Sequence, residues 1–130
     1  MAAILAWGLL HAYSFLCRHP RLPGARSLVL RSLRRARSGG GGTPAERPAA
    51  VADADAVVRV ARLIGHAPPC LPRALALHRL LAWRGIRSRV RLGLRRTANG
   101  VDGHAWVECG GAPVGEDATL LAPYVACETS

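Results

Sequence analysis

At 130 residues the chain has the length of one domain with a single hydrophobic core. Its 18 basic residues are all Arg, set against eight acids for a net charge of +10, a balance that favours an acidic peptide, membrane surface or nucleic acid as partner. The four cysteines (17, 70, 109, 127) show no C-x-x-C spacing and no histidine at a zinc-finger interval, which argues against a structural zinc site.

In chain order, residues 2–37 read as one or two helices broken near Pro20 and Pro23. Residues 2–16 are apolar, but shorter than the ~20 residues a spanning helix needs. The basic residues follow this run instead of preceding it, and no small-x-small cleavage site is clear, so it does not read as a secretory signal. It is expected to be a buried or interface helix, with shallow membrane association as the lesser reading. Without a signal, the thiols are expected to be reduced and the compartment cytoplasmic.

Seven Arg and no acid lie from Arg18 to Arg37. Residues 38–48, rich in Gly and Pro, read as a linker between this N-terminal segment (1–37) and a core of residues 49–130. Val51, Ala54, Val57, Val58, Ala61 and Ile64 recur at helical spacing and predict a helix over 49–64, ended by Gly65. Residues 66–69 (His-Ala-Pro-Pro) form a rigid entry to Cys70. A helix over 71–84 follows, with Pro72 tolerated in its first turn and Gly85 as its cap.

Residues 86–96 alternate: Ser88, Val90, Leu92 and Leu94 on one face, Arg87, Arg89, Arg91 and Arg95 on the other. This predicts a half-buried strand. A turn over 97–103 containing Asn99-Gly100 leads to a hairpin of strands 104–109 and 112–117 around Gly110-Gly111. The tail from Ala118 has no strong pattern. Helices first, then a small antiparallel sheet packed on the helix that begins with Cys70, make an α+β fold.

The chemistry-bearing residues converge on this layout. Cys70 opens a helix, where free backbone N–H groups and the positive end of the macrodipole favour a thiolate. His104 lies on a strand. A two-residue loop at Gly110-Gly111 opposes Cys109 with Ala112, Val107 with Val114 and His104 with Asp117, close enough for a carboxylate to bond the imidazole. A three-residue loop would instead bring Glu116 opposite His104, so Asp117 is the first choice and Glu116 its competitor. Trp106 and Glu108 share the face of His104, and the indole is expected to wall the site. A nucleophile, a base and an orienting carboxylate suit acyl transfer through a thioester, a reaction that needs no metal or nucleotide cofactor.

The stretch Cys70-Leu71-Pro72-Arg73-Ala74-Leu75-Ala76-Leu77, then Leu80-Leu81, Arg84-Gly85-Ile86, Gly93, His104-Ala105-Trp106-Val107-Glu108, Gly111 and Pro113-Val114-Gly115-Glu116, resembles the transglutaminase-like leader peptidases of lasso-peptide biosynthesis. The resemblance implies a transglutaminase/papain-like core with Cys70 as nucleophile, His104 as base and Glu116 or Asp117 as acid. It also implies a precursor peptide as substrate. The 48 residues before the first core helix lack the strand pattern of a fused leader-binding domain, so the resemblance implies the split form. A separate leader-recognition protein would then be a partner, together with an ATP-dependent macrocyclase, and the basic N-terminal region (Arg31, Arg34, Arg35, Arg37) a docking surface. Transamidation is the enzymatic alternative. A non-catalytic Arg-rich nucleic-acid-binding module is the other, disfavoured because the strand arginines are not interleaved with exposed aromatics.

Overall fold

The computed structural model describes residues 2–63 and 70–127. In chain order these form α1 (Ala2–Arg18), α2 (Ala25–Ser38), a 3-10 turn (Pro44–Glu46), α3 (Arg47–Leu63) and α4 (Cys70–Trp83). Then come β1 (Arg89–Thr97), β2 (Gly100–Cys109), β3 (Ala112–Val114), α5 (Ala118–Leu121) and β4 (Val125–Ala126). The strands make one antiparallel sheet in the order β3-β2-β1-β4. The fold is α+β, as the alternation of periods predicts, with the helices preceding the sheet.

Helix α4 is the centre of the molecule, packed against α1, α3 and β2. Leu75, Leu80 and Leu81 on it are fully buried, each contributing roughly 1.5–3 kcal/mol of apolar burial. Its end is a Schellman motif: Gly85, at φ +74°, donates to the Ala82 carbonyl, and Ile86 donates to that of Leu81. The break at Pro20 and Pro23 separates α1 from α2 as expected. Ala6, Leu10 and Tyr13 turn the inner face of α1 to the core, whereas Ile4, Trp7 and Phe15 are exposed. Among the described residues, no helix is long and apolar enough to cross a membrane.

Helix α3 starts two residues earlier than its apolar pattern suggests. Thr43 and Glu46 form a capping box just before it, the Thr43 N–H donating to Glu46 Oε2 at 2.9 Å. Its inner face is Ala50, Ala54, Val57, Val60 and Ala61, so Val51 lies outside. Asp53 is buried on α3 and pairs with Arg84 at 2.7 Å; burial raises its carboxyl pKa against the pull of that guanidinium. Ile64, Gly65 and the His-Ala-Pro-Pro entry lie outside the described residues. The glycine-rich stretch read as a linker runs beside the sheet: Gly110 donates to the Gly41 carbonyl, and Arg89 to that of Gly39.

The β1–β2 hairpin differs from the expected turn. Thr97 pairs with Gly100, so the loop is Ala98-Asn99 and β2 begins four residues before His104. The cross-strand pair Arg95–Asp102, 3.1 Å apart, lies in this added stretch of ladder. The Gly110-Gly111 loop holds two residues as expected, with Cys109 opposite Ala112 and Val107 opposite Val114. Strand β3 stops at Val114, three residues short of the predicted end. The patternless tail forms α5 and β4, which adds to the outer edge of β1 through Gly93–Ala126 and Leu94–Val125.

Candidate active site

Cys70 is the first residue of α4 and is half-buried against the core, so its thiol stands at the positive end of a 14-residue helix. All four cysteines are free. Cys109 is fully buried, and burial raises the pKa of both Cys109 and Cys17, which makes these thiols poor nucleophiles.

His104, on β2, has its Nε2 2.7 Å from Glu116 Oε2. An ionised carboxylate only accepts hydrogen bonds, so Nε2–H is the donor to it, and in the neutral imidazole that tautomer makes Nδ1 the acceptor. The other oxygen of Glu116, Oε1, is 3.0 Å from Nη2 of Arg73, one helical turn beyond Cys70. The side chains of Glu116 and His104 are only 16% and 20% exposed, so neither contact is an open surface pair.

Asp117, the first choice from register, does not face His104. Its side chain caps α5, accepting from the Thr119 N–H at 2.9 Å and the Thr119 hydroxyl at 2.8 Å. Those hydrogen bonds, the backbone one foremost, hold its carboxyl below the usual range. The loop holds two residues, as the register expects, but the ladder does not reach position 117. Pairing ends at Val114, and Gly115, at φ +77°, turns the chain so that Glu116 is the acid presented to the imidazole.

Trp106, the expected wall, lies beside His104 on β2. Its ring stacks at 20° to that of His104, centroids 6.2 Å apart, and its indole N–H donates to Glu108 Oε1. Two further residues join the site without any prior signal in the sequence pattern. Arg73 is one. The other is Tyr124, carried in by β4, whose ring centroid is 5.4 Å from that of His104. The Tyr124 hydroxyl donates to Asp102 Oδ2 at 2.8 Å, and Arg95 stacks over its ring. That hydrogen bond first, and burial second, raise the phenol pKa.

Of the basic residues on α2, Arg31, Arg34 and Arg35 are exposed. Arg37 is different: its guanidinium donates to the Cys127 carbonyl at 2.9 Å and ties α2 to the residue that follows β4. Among the described residues, no group of three or more His, Cys, Asp or Glu side chains is placed to hold a metal ion.

Cys70 thus begins α4, the helix packed on β2, and β2 carries the histidine whose Nε2 meets a carboxylate. Comparison with curated proteins and with solved structures finds no match. The family model described as the transglutaminase-like superfamily matches residues 9–129, nearly the whole chain, and the protein belongs to that superfamily.

Proposed function

We propose that the protein is a cysteine peptidase that removes the leader from a ribosomally made precursor peptide, as in lasso-peptide maturation. The observation that carries the reading is the contact between His104 Nε2 and Glu116 Oε2, on a strand packed against the helix that Cys70 begins. Membership of the transglutaminase-like superfamily supports thioester chemistry. The finer assignment to leader removal rests on the motif resemblance around Cys70 and His104.

In this reading Nδ1 of His104 takes the thiol proton, and the Cys70 thiolate attacks the carbonyl at the leader–core junction. Glu116 holds the imidazole in the productive tautomer and stabilises the imidazolium that forms. The N–H groups at the start of α4 face the developing oxyanion. The imidazolium protonates the leaving core amine, the leader remains on Cys70 as a thioester, and water releases it. The freed amine is the group that an ATP-dependent macrocyclase would condense with an acidic side chain. A separate leader-recognition protein presents the precursor, and the setting is cytoplasmic.

The test is incubation of the full chain with precursor peptide and its recognition protein, followed by mass spectrometry. Leader and core are expected as two hydrolysed fragments, absent with Cys70→Ala. Leader joined to an added amine in preference to water would identify a transamidase instead, and cleavage persisting in Cys70→Ala would remove Cys70 as the nucleophile.

A further inference from the structure

We propose that Arg73 is a positioning residue: it holds Glu116 so that one carboxylate oxygen stays on His104, tying the helix that begins with Cys70 to the acid that orients the base. This rests on the reading of Cys70 and His104 as nucleophile and base, and adds a residue that the nucleophile–base–acid set does not contain.

Glu116 needs such a partner. It follows the last paired residue of the sheet, Val114, and a glycine in the left-handed region, so no ladder hydrogen bond fixes its backbone beside His104. Glutamate has three side-chain torsions, and ordering them costs entropy that a single hydrogen bond to a neutral imidazole offsets only in part. The structure divides the carboxylate: Oε2 to His104 at 2.7 Å, Oε1 to Arg73 at 3.0 Å. With each oxygen on a different element, rotation of the carboxylate breaks one contact or the other.

The second anchor is also the one best placed to set distance. Arg73 is three residues from Cys70 on the same helix, so nucleophile and anchor move as one body. The chain of contacts therefore runs from the thiol's own helix through Arg73 and Glu116 to the imidazole. Arg73 and Glu116 line one small cavity with Ala54, Leu77 and Trp106, so the pair meets at a partly buried edge of the core. Arginine suits this better than lysine, because its planar, rigid donor set fixes direction as well as charge.

The experiment is native alkylation of the full-length protein by iodoacetamide at neutral pH, each of the four thiols followed by mass spectrometry. This readout needs no knowledge of the physiological substrate. Cys70 is expected to react faster than Cys127, and His104→Ala to slow Cys70 on the order of tenfold or more. Arg73→Met, which keeps the apolar stem, should slow Cys70 on the order of tenfold while the rates at Cys17 and Cys127 stay fixed, and Arg73→Lys should recover part of the loss. In a Glu116→Gln background, Arg73→Met should add less than about twofold, since both act through the same imidazole.

Wild-type alkylation of Cys70 in Arg73→Met, or a loss that multiplies that of Glu116→Gln, overturns the inference while leaving the nucleophile reading intact. A fall in melting temperature accompanied by faster alkylation of all four thiols would show a folding role and overturn it as well. Cys70 no faster than Cys127, and indifferent to His104→Ala, would bring down the nucleophile reading and this inference with it.

Discussion

Gly93 lies directly beneath the indole of Trp106. A Cβ at position 93 would sit 2.7 Å from the ring and 2.9 Å from the Cβ of Tyr124. Gly93 is also paired with His104 across the ladder and with Ala126 on the other edge, so the absence of a side chain here lets two aromatic residues flank the imidazole. Gly93→Ala is expected to displace Trp106, Tyr124 or both, at a cost of about 1–3 kcal/mol as in other overpacked sites, and to lower turnover more than substrate binding. Thermal melting and the split between kcat and KM check this. An unchanged melting temperature would show that both rings move aside freely and do not hold His104.

The two adjacent acids separate by role. Glu116→Gln keeps the shape of the side chain but replaces an obligate acceptor by an amide, so the imidazole loses the partner that selects its tautomer; a fall in kcat on the order of a hundredfold or more is expected. Asp117→Asn removes the charge from the cap of α5 without touching His104, and is expected to leave the rate near that of the wild type with a small loss of melting temperature. Cleavage assays on the two variants, with circular dichroism as the folding check, decide the ranking. The reverse order would require Asp117 to leave Thr119 and replace Glu116 at the imidazole.

That pair also shows how far the fold can be read from the chain. Local rules located α4, its glycine stop, the Gly110-Gly111 loop and the candidate nucleophile and base, because each depends on residues near in sequence. Register favours Asp117 over Glu116 opposite His104, but the end of β3 is set by the turn at Gly115, and alternation carries no mark of where pairing stops. Tyr124 and Arg73 were not legible as site residues for a different reason. Tyr124 reaches His104 only after a two-residue strand adds to the edge of β1, and Arg73 meets Glu116 across 43 residues. No periodicity encodes either contact.

A histidine outside the site is expected to contribute an acid limit to stability. His78, on α4, is half-buried, and its Nδ1 is 3.0 Å from the hydroxyl of buried Ser88. Burial first, and the charge of Arg79 second, lower its pKa below the ordinary 6.5. The folded state therefore binds this proton less readily than the unfolded state does. Its effect is absent well above pH 6.5, and stability falls as the pH drops below that value. Melting curves taken from pH 8 downwards should show a decline that is smaller in His78→Gln, which retains a hydrogen-bonding group. An identical decline in the variant would assign the acid limit to other groups.

The basic face of α2 yields a test of partner dependence. If a separate recognition protein holds the leader, tethering raises the effective concentration of the precursor at the site, and isolated enzyme should cleave slowly. Arg31, Arg34 and Arg35 are exposed and free to meet an acidic surface, whereas Arg37 holds the C-terminal segment and should be left in place. Replacing the first three by Gln is expected to lower the partner-stimulated rate and flatten its dependence on salt, because exposed charges act over about a Debye length. The basal rate without partner should be nearly unchanged, since none of the three belongs to the His104–Glu116–Arg73 set. Steady-state cleavage with and without the recognition protein, across a salt series, measures both. An equal loss of the two rates would place these arginines in the fold, and full activity with no partner present would make the enzyme a self-sufficient peptidase.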